Sequence, residues 1–315
     1  MKQLLAGLVV VLLACGLAQA QKQPCATAGE NNAFLGIQTI RLWAGDAPQA
    51  KGKACEDTPT LTVFEPAYRS EANGSAVVIL PGGAYAHLAG SLEGRQVADW
   101  FTARGFRAFI LSYRLSSNGY LLPVPLLDAR RAVQLVRARA RDYEIDPNRI
   151  VLIGFSAGGH LAALSATQFV RGNPEAEDPI ERVSSRPDYL VLGYPWIGAI
   201  SSDTSHLSYC KIFNVMDRCE ALRTAYSPDL FVTRETPPAF WYHTFSDQTV
   251  PVEQGLRFYE ALVKAGVPAE AHIFAAGPHG TGLGKGDAAL DQWPELLETW
   301  LRAQGLLTPK TLAKH

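Results

Sequence analysis

The chain has 315 residues, 47% of them apolar and 19% charged, the composition of a soluble globular protein with apolar surface enough to offset chain entropy over most of its length. Twenty-nine Lys and Arg stand against 30 Asp and Glu, a formal net charge of −1. With no basic excess or stripe, nucleic acid is not an expected partner, and a core of this size needs no metal staple.

The N-terminus reads as a targeting segment. Met1-Lys2-Gln3 is followed by an almost wholly apolar run from Leu4 to Leu13 and by Ala18-Gln19-Ala20. A short positive start, about ten apolar residues and a small-x-small site predict a secretory signal peptide over residues 1–20, cleaved after Ala20. The run is shorter than the roughly 20 apolar residues of a membrane span, so no integral span is expected. Leu12-Leu13-Ala14-Cys15 offers a rival processing site, because it resembles a bacterial lipoprotein box; lipid on Cys15 would anchor the protein to a membrane. Under either processing four cysteines remain, Cys25, Cys55, Cys210 and Cys219. An even number in an exported chain predicts disulfides. The sequence-local pairs Cys25–Cys55 and Cys210–Cys219 are favoured, each bracketing a stretch outside the predicted core, with buried free thiols as the alternative. Neither Cys-x-x-Cys nor paired-His spacing occurs, so no metal site is expected.

From residue 21 onward no repeat, low-complexity segment or linker divides the chain, which predicts one catalytic domain over residues 21–315. Edge strands are expected at 37–43 and 61–65, then an apolar strand at 76–80 and a helical pattern at 92–104. A strand at 107–112, a helix at 126–141, a strand at 150–155 and a helix at 158–170 follow. Further strands are predicted at 189–194, 239–243 and 271–274, and further helices at 253–265 and 289–303. The inner strands are apolar throughout rather than alternating, as in a parallel sheet covered on both faces, and the helical segments carry apolar residues at three- and four-residue spacing. This is an α/β pattern, a mostly parallel sheet with helices on both faces. The polar stretches 171–186 and 201–233 are expected as small excursions beyond strand ends, where open α/β sheets bind ligands. The second, holding Cys210 and Cys219, is the candidate cap.

Gly154-Phe155-Ser156-Ala157-Gly158 lies between the 150–155 strand and the helix after it. A serine on such a strand-to-helix turn is a nucleophile elbow, with its hydroxyl held above the sheet and backbone N–H groups gathered at a helix N-terminus. The loop Pro81-Gly82-Gly83-Ala84-Tyr85 follows the 76–80 strand, in the position from which hydrolases of this type take a second oxyanion donor. Gly83, Ala84 and Ala157 are thus the candidate N–H donors.

The serine needs a base, and the base a carboxylate, in the chain order serine, acid, histidine. His87 precedes the serine, and His160 lies on the helix that follows it, facing away from a base's position. His243 and His272 fall inside predicted strands, His206 in the cap, and His315 at the terminus. His279, in Gly277-Pro278-His279-Gly280 after the last strand, is the candidate base. Asp247, after the 239–243 strand, is the candidate acid, with Asp217 of the cap as a weaker rival.

From about residue 76 to 305 the chain resembles the α/β-hydrolase superfamily, in the carbohydrate-esterase-like branch that includes bacterial acetyl xylan esterases and related feruloyl esterases. The resemblance rests on the oxyanion loop and elbow just described, on Tyr113-Arg114-Leu115, Asp128-Ala129-Arg130, Ser185-Arg186-Pro187-Asp188-Tyr189 and Thr236-Pro237-Pro238, and on the Asp247 and His279 loops. It implies an α/β-hydrolase fold with Ser156, Asp247 and His279 as nucleophile, acid and base. It also makes Asp128, Arg130 and His160 structural polar residues beneath the elbow. Two features depart from the family pattern: Trp196 stands where many relatives carry a small aliphatic residue, and segment 201–233 with its two cysteines is unlike the usual one.

The expected function is an exported serine carboxylesterase, periplasmic or secreted, that needs no cofactor. It would remove small acyl groups, acetyl first among them, from plant-cell-wall carbohydrate such as xylan fragments. Tyr85 and Trp196 are expected to meet the substrate, with the Trp196 ring narrowing the acyl side; core packing or a sugar-stacking platform is its other reading. A feruloyl or general carboxylesterase is the nearest alternative. A serine peptidase of this fold usually carries a large propeller or lid, for which the chain has no spare length. A non-catalytic binding protein on the scaffold typically loses a triad member, and here all three positions are filled.

Overall fold

A computed structural model describes residues 38–198, 210 and 219–309. Its strands are β1 (Gln38–Arg41), β2 (Thr60–Phe64), β3 (Ala76–Leu80), β4 (Arg107–Ser112), β5 (Ile150–Phe155), β6 (Tyr189–Gly193), β7 (Ala239–Thr244) and β8 (Ala269–Phe274). They form one eight-stranded sheet in the order β1-β2-β4-β3-β5-β6-β7-β8. The strand β2 runs antiparallel to β1 and β4, and the pairings from β4 through β3 to β8 are parallel.

The helices are α1 (Gln96–Thr102), α2 (Val124–Ala138), α3 (Ser156–Thr167), α4 (Cys219–Ala225), α5 (Glu253–Ala265) and α6 (Trp293–Ala303). They divide the core in two. On one face Leu161 and Leu164 of α3, Val133 and Val136 of α2 and Phe258 of α5 pack on Val78, Leu80 and Leu152. On the other, Val97 and Phe101 of α1 and Trp293, Leu297 and Leu301 of α6 pack on Val77, Ile79, Val151 and Ile153. Alternate residues of the same strand serve opposite cores, which is why β3 and β5 are apolar at nearly every position and fully buried.

Three expected elements are corrected. The 92–104 helix begins as a π-helical turn, Gly90–Arg95, and becomes α-helical only at Gln96. The 289–303 helix opens with the 3-10 turn Leu290–Gln292, and Pro294 sits in the first turn of α6 where its missing N–H is tolerated. The 189–194 strand stops at Gly193, because Tyr194 turns to φ +33°.

Cys55 and Cys210 are both disulfide-bonded. Cys25 and the side chain of Cys219, their expected partners, lie outside the described residues, as do Cys15, Ala20 and most of the cap. The part of the cap that is described comprises α4 and the turn Pro228–Phe231. Among the described residues no helix is long and apolar enough to cross a membrane.

Candidate active site

The site is assembled at the carboxyl ends of β3, β5, β7 and β8. β5 ends at Phe155 and α3 begins on the next residue, Ser156, whose φ of +52° lies in the left-handed region that side chains rarely adopt. The flanking glycines make this turn sterically feasible. A Cβ at 154 would stand 2.2 Å from the Gly158 carbonyl oxygen, and one at 158 would stand 2.1 Å from that of Leu80. Helix α3 therefore abuts the ends of β3 and β5 with no intervening side chain, and Ser156 projects from its first turn.

β7 delivers Asp247, whose Oδ1 accepts the N–H groups of Thr249 (2.8 Å) and Val250 (2.9 Å). After β8 the chain turns through Gly277, at φ +147°, into the loop that carries His279. Nδ1 of His279 lies 2.7 Å from Oδ2 of Asp247, and Nε2 lies 2.8 Å from Oγ of Ser156. A carboxylate can only accept, so Nδ1 carries the proton toward Asp247 and Nε2 faces the serine hydroxyl with its lone pair. Burial pushes the Asp247 carboxyl up, but hydrogen bonds from His243, His279 and Val250 outweigh it and hold the group well below the usual carboxylate range.

Two residues assigned no part in this site from sequence support it. Ser246 accepts the Gly277 N–H (3.0 Å) and donates to the Gly277 carbonyl (3.1 Å), clasping the histidine loop to the acid loop. His243, expected as a structural histidine within the strand, brings Nε2 to 3.4 Å from Oδ2 of Asp247 while hydrogen-bonding the Val250 carbonyl at 2.9 Å. The signal was its position four residues before the acid.

The loop after β3 is backbone-strained. Gly83 has φ +126°, and Ala84 and Tyr85 follow at +54° and +59°. Among the described residues no turn or loop backbone hydrogen bond uses the N–H groups of Gly83 or Ala84, and Ala157 lies in the first turn of α3. Gly82 lies against the serine: a Cβ there would fall 2.9 Å from that of Ser156 and 2.7 Å from the Phe155 carbonyl oxygen.

Tyr85, expected to meet the substrate, is placed beside His160. Its side chain is buried, and its hydroxyl lies 2.7 Å from Nδ1 of His160. Nε2 of His160 donates to the Tyr226 carbonyl at 2.7 Å, so Nδ1 accepts from Tyr85, and burial pushes this imidazole down to about 3. The Trp196 ring is partly buried and rests on the same histidine, 4.3 Å between ring centroids, while the Trp196 backbone N–H donates to the Ser156 carbonyl. Trp196 is thus joined to the elbow through both its backbone and its ring.

Asp128 is fully buried and pairs with Arg114 at 2.6 Å, also accepting the Arg114 N–H. Burial raises its carboxyl, against the pull of that guanidinium. The neighbouring Arg130 does not join this pair; its Nε is buried without a partner, and burial lowers its guanidinium. Of the other histidines, His272 bonds Glu270 on β8 and His87 is exposed beside Gly83. His206, His315 and Asp217 lie outside the described residues.

Comparison with known proteins agrees with this architecture. Residues 61–187 match the BD-FAE family model, and residues 201–304 match that of the prolyl oligopeptidase family. The chain is 32% identical over 235 residues to an acetylxylan esterase of Xylanibacter ruminicola, a match covering 73% of this chain and 46% of that protein. It is also 32% identical over 223 residues to endo-1,4-beta-xylanase B of Butyrivibrio fibrisolvens, covering 69% of this chain and 34% of that protein. The chain thus spans less than half the length of these two relatives. Among solved structures it resembles an acetyl ester-xyloside bifunctional hydrolase from Caldicellulosiruptor lactoaceticus, with a TM-score of 0.78 and 39% identity over 85% of this chain and 97% of that one. With the eight-stranded sheet and the strained serine at its centre, these likenesses make the chain a member of the α/β-hydrolase superfamily, in its acetyl xylan esterase-like branch.

Proposed function

We propose that this protein is an exported serine carboxylesterase that releases small acyl groups, acetyl first among them, from acylated cell-wall carbohydrate such as xylan fragments. The observation that carries the reading is the hydrogen-bonded series Asp247–His279–Ser156, with Ser156 on a left-handed turn at the end of β5. In this reading Ser156 Oγ attacks the ester carbonyl carbon as its proton passes to Nε2 of His279. The N–H groups of Gly83, Ala84 and Ala157 receive the oxyanion. Collapse breaks the bond to the sugar oxygen, which takes the proton back from Nε2. Water then gives a proton to Nε2 as it attacks the acyl-serine, and collapse breaks the acyl–Oγ bond, releasing the acid while Oγ of Ser156 takes that proton back from Nε2. Asp247, held ionised by its hydrogen bonds, fixes the histidine tautomer throughout.

The substrate part of the proposal draws on relatives named for acetylxylan and for acetyl ester and xyloside substrates. Export draws on the N-terminal sequence and on the disulfide-bonded state of Cys55 and Cys210. The prolyl oligopeptidase match over residues 201–304, which include Asp247 and His279, favours a peptidase as the second reading. Incubation with acetylated xylo-oligosaccharides and with peptide amides separates the two. Free acetate without amine release is expected; amine release without acetate would replace the first reading by the second.

A further inference from the structure

Glu93 takes no part in the proton transfers above, yet it is buried beside them, with 3% of its surface exposed. We infer, on the esterase reading of the site, that Glu93 is a positioning residue that ties the oxyanion loop to the histidine loop around Ser156. The π-helical turn Gly90–Arg95 carries its carboxyl inward. Oε2 accepts the Gly82 N–H at 2.6 Å, and Oε1 accepts the Tyr194 hydroxyl at 2.6 Å. The Tyr194 oxygen in turn accepts the Gly282 N–H at 2.9 Å, three residues beyond the base.

A continuous series of hydrogen bonds therefore runs from the loop before the nucleophile, through Glu93 and Tyr194, to the loop carrying His279. Both glycines are gripped a second time. The Gly82 carbonyl accepts the Ala89 N–H at 3.0 Å. The Gly282 carbonyl accepts from the Tyr242 hydroxyl at 2.7 Å and from Nε1 of Trp293 at 3.2 Å. A Cβ at Gly82 would stand 2.7 Å from Oε2 of Glu93, and one at Gly282 would stand 2.7 Å from Cγ of the adjacent Leu92, so the same turn touches both loops. The Tyr194 ring also meets that of His279 edge-on, 4.9 Å between centroids.

This arrangement acts on rate more than on binding. Gly82 immediately precedes Gly83 and Ala84, and donors to an oxyanion contribute only when they reach the position where charge develops. A misplacement of about 1 Å costs on the order of a hundredfold, and losing an interaction made only in the transition state lowers kcat while leaving KM.

The test uses the full-length protein and the variants Glu93→Gln, Tyr194→Phe, their combination, and Ser156→Ala. Glu93→Gln keeps the size but removes the charge and turns one acceptor into a donor, so either Gly82 loses its acceptor or the Tyr194 hydroxyl must turn from donating to accepting. Tyr194→Phe leaves the Glu93–Gly82 bond and cuts the link to Gly282. Measured on aryl acetate, Glu93→Gln should lower kcat by about a hundredfold with KM within about threefold. Its affinity for a trifluoromethyl ketone, which forms a tetrahedral adduct, should fall in parallel with kcat/KM. The double variant should lose less than the product of the single losses. Normal kcat in folded Glu93→Gln, or a kcat loss with undiminished affinity for the ketone, overturns the inference. Should Glu93→Gln fail to fold, Tyr194→Phe decides: a kcat loss of about tenfold at constant KM supports it, and unchanged kcat overturns it. An inert Ser156→Ala beside an unimpaired Glu93→Gln removes this inference alone, whereas an active Ser156→Ala removes the esterase reading and this inference with it.

Discussion

His243 brings Nε2 to within 3.4 Å of Oδ2 of Asp247, the same oxygen that His279 holds at 2.7 Å. The acid therefore sits between two imidazoles from different elements, one at the end of β7 and one in the loop after β8. With its other oxygen on the Thr249 and Val250 N–H groups, the carboxylate has little freedom to rotate, and a rigid carboxylate is what orients the histidine.

The first prediction concerns the three residues of that series. Ser156→Ala and His279→Ala should each lower turnover by several orders of magnitude and to a similar extent; in a well-characterised serine protease such single losses cost on the order of 10⁶. Asp247→Asn should be milder, because the histidine stays in place with poorer orientation. Steady-state kinetics on folded variants checks the order, and a loss for Asp247→Asn exceeding that for Ser156→Ala would contradict it.

On the proposed function, Trp196 limits acyl size. Its backbone is bonded to Ser156 and its ring to His160, so truncation opens space beside the elbow. Wild type should prefer acetyl in a series of aryl esters from acetyl to octanoyl plus feruloyl, and Trp196→Ala should gain on the longer acids. One methylene in an open pocket changes discrimination by about 1–3 kcal/mol, so a filled pocket should give a steeper fall along the series. A wild-type preference for feruloyl or octanoyl esters would discard the acetyl assignment and leave the Ser156 chemistry standing.

His160 makes stability pH-dependent. Burial lowers the imidazole from its ordinary 6.5 to about 3, so between these values the unfolded chain binds a proton that the folded one does not. This contribution to stability is intact above pH 6.5 and is lost progressively as pH falls toward 3. The slope is about 1.4 kcal/mol per pH unit for one proton. Denaturant unfolding of wild type and His160→Gln between pH 6 and 4 should give slopes that differ by about that amount, with wild type the steeper; equal slopes would contradict the neutral, buried histidine.

The cysteines give a chemical prediction. Unreduced, denatured protein should take up no alkylating reagent at Cys55 or Cys210, and both should become reactive after reduction. Peptide mapping reads this directly and also identifies the partner of each, with Cys25 and Cys219 expected. Alkylation of Cys55 without reduction would oppose export through an oxidising compartment.

Much of this was legible in the sequence. The bounds of β3, β4 and β5 coincide with the segments read from sequence, and β3 and β5, buried along their whole length, have no polar position to blur their ends. Ser156, Asp247 and His279 were identifiable from chain order and from their places after strands. What escaped depended on turns and polar contacts that periodicity does not encode. A π-helical turn and an α-helical one share much the same apolar spacing, so residues 92–95 are not distinguishable by pattern from the α-helix that follows. Glu93 nonetheless shares a register with Val97 and Phe101, both buried, and a carboxyl on that face must find donors. The left-handed backbone of Tyr85, at φ +59°, and the burial of its ring are likewise not encoded in the apolar pattern.

The most direct test of the central claim is covalent capture of the nucleophile. A fluorophosphonate that reacts with activated serines should add once per molecule, on the peptide containing Ser156, and should abolish ester hydrolysis in proportion to its incorporation. His279→Ala should greatly slow this labelling. Incorporation at another serine, or hydrolysis that persists in fully labelled protein, would contradict the assignment of Ser156 as the reacting group.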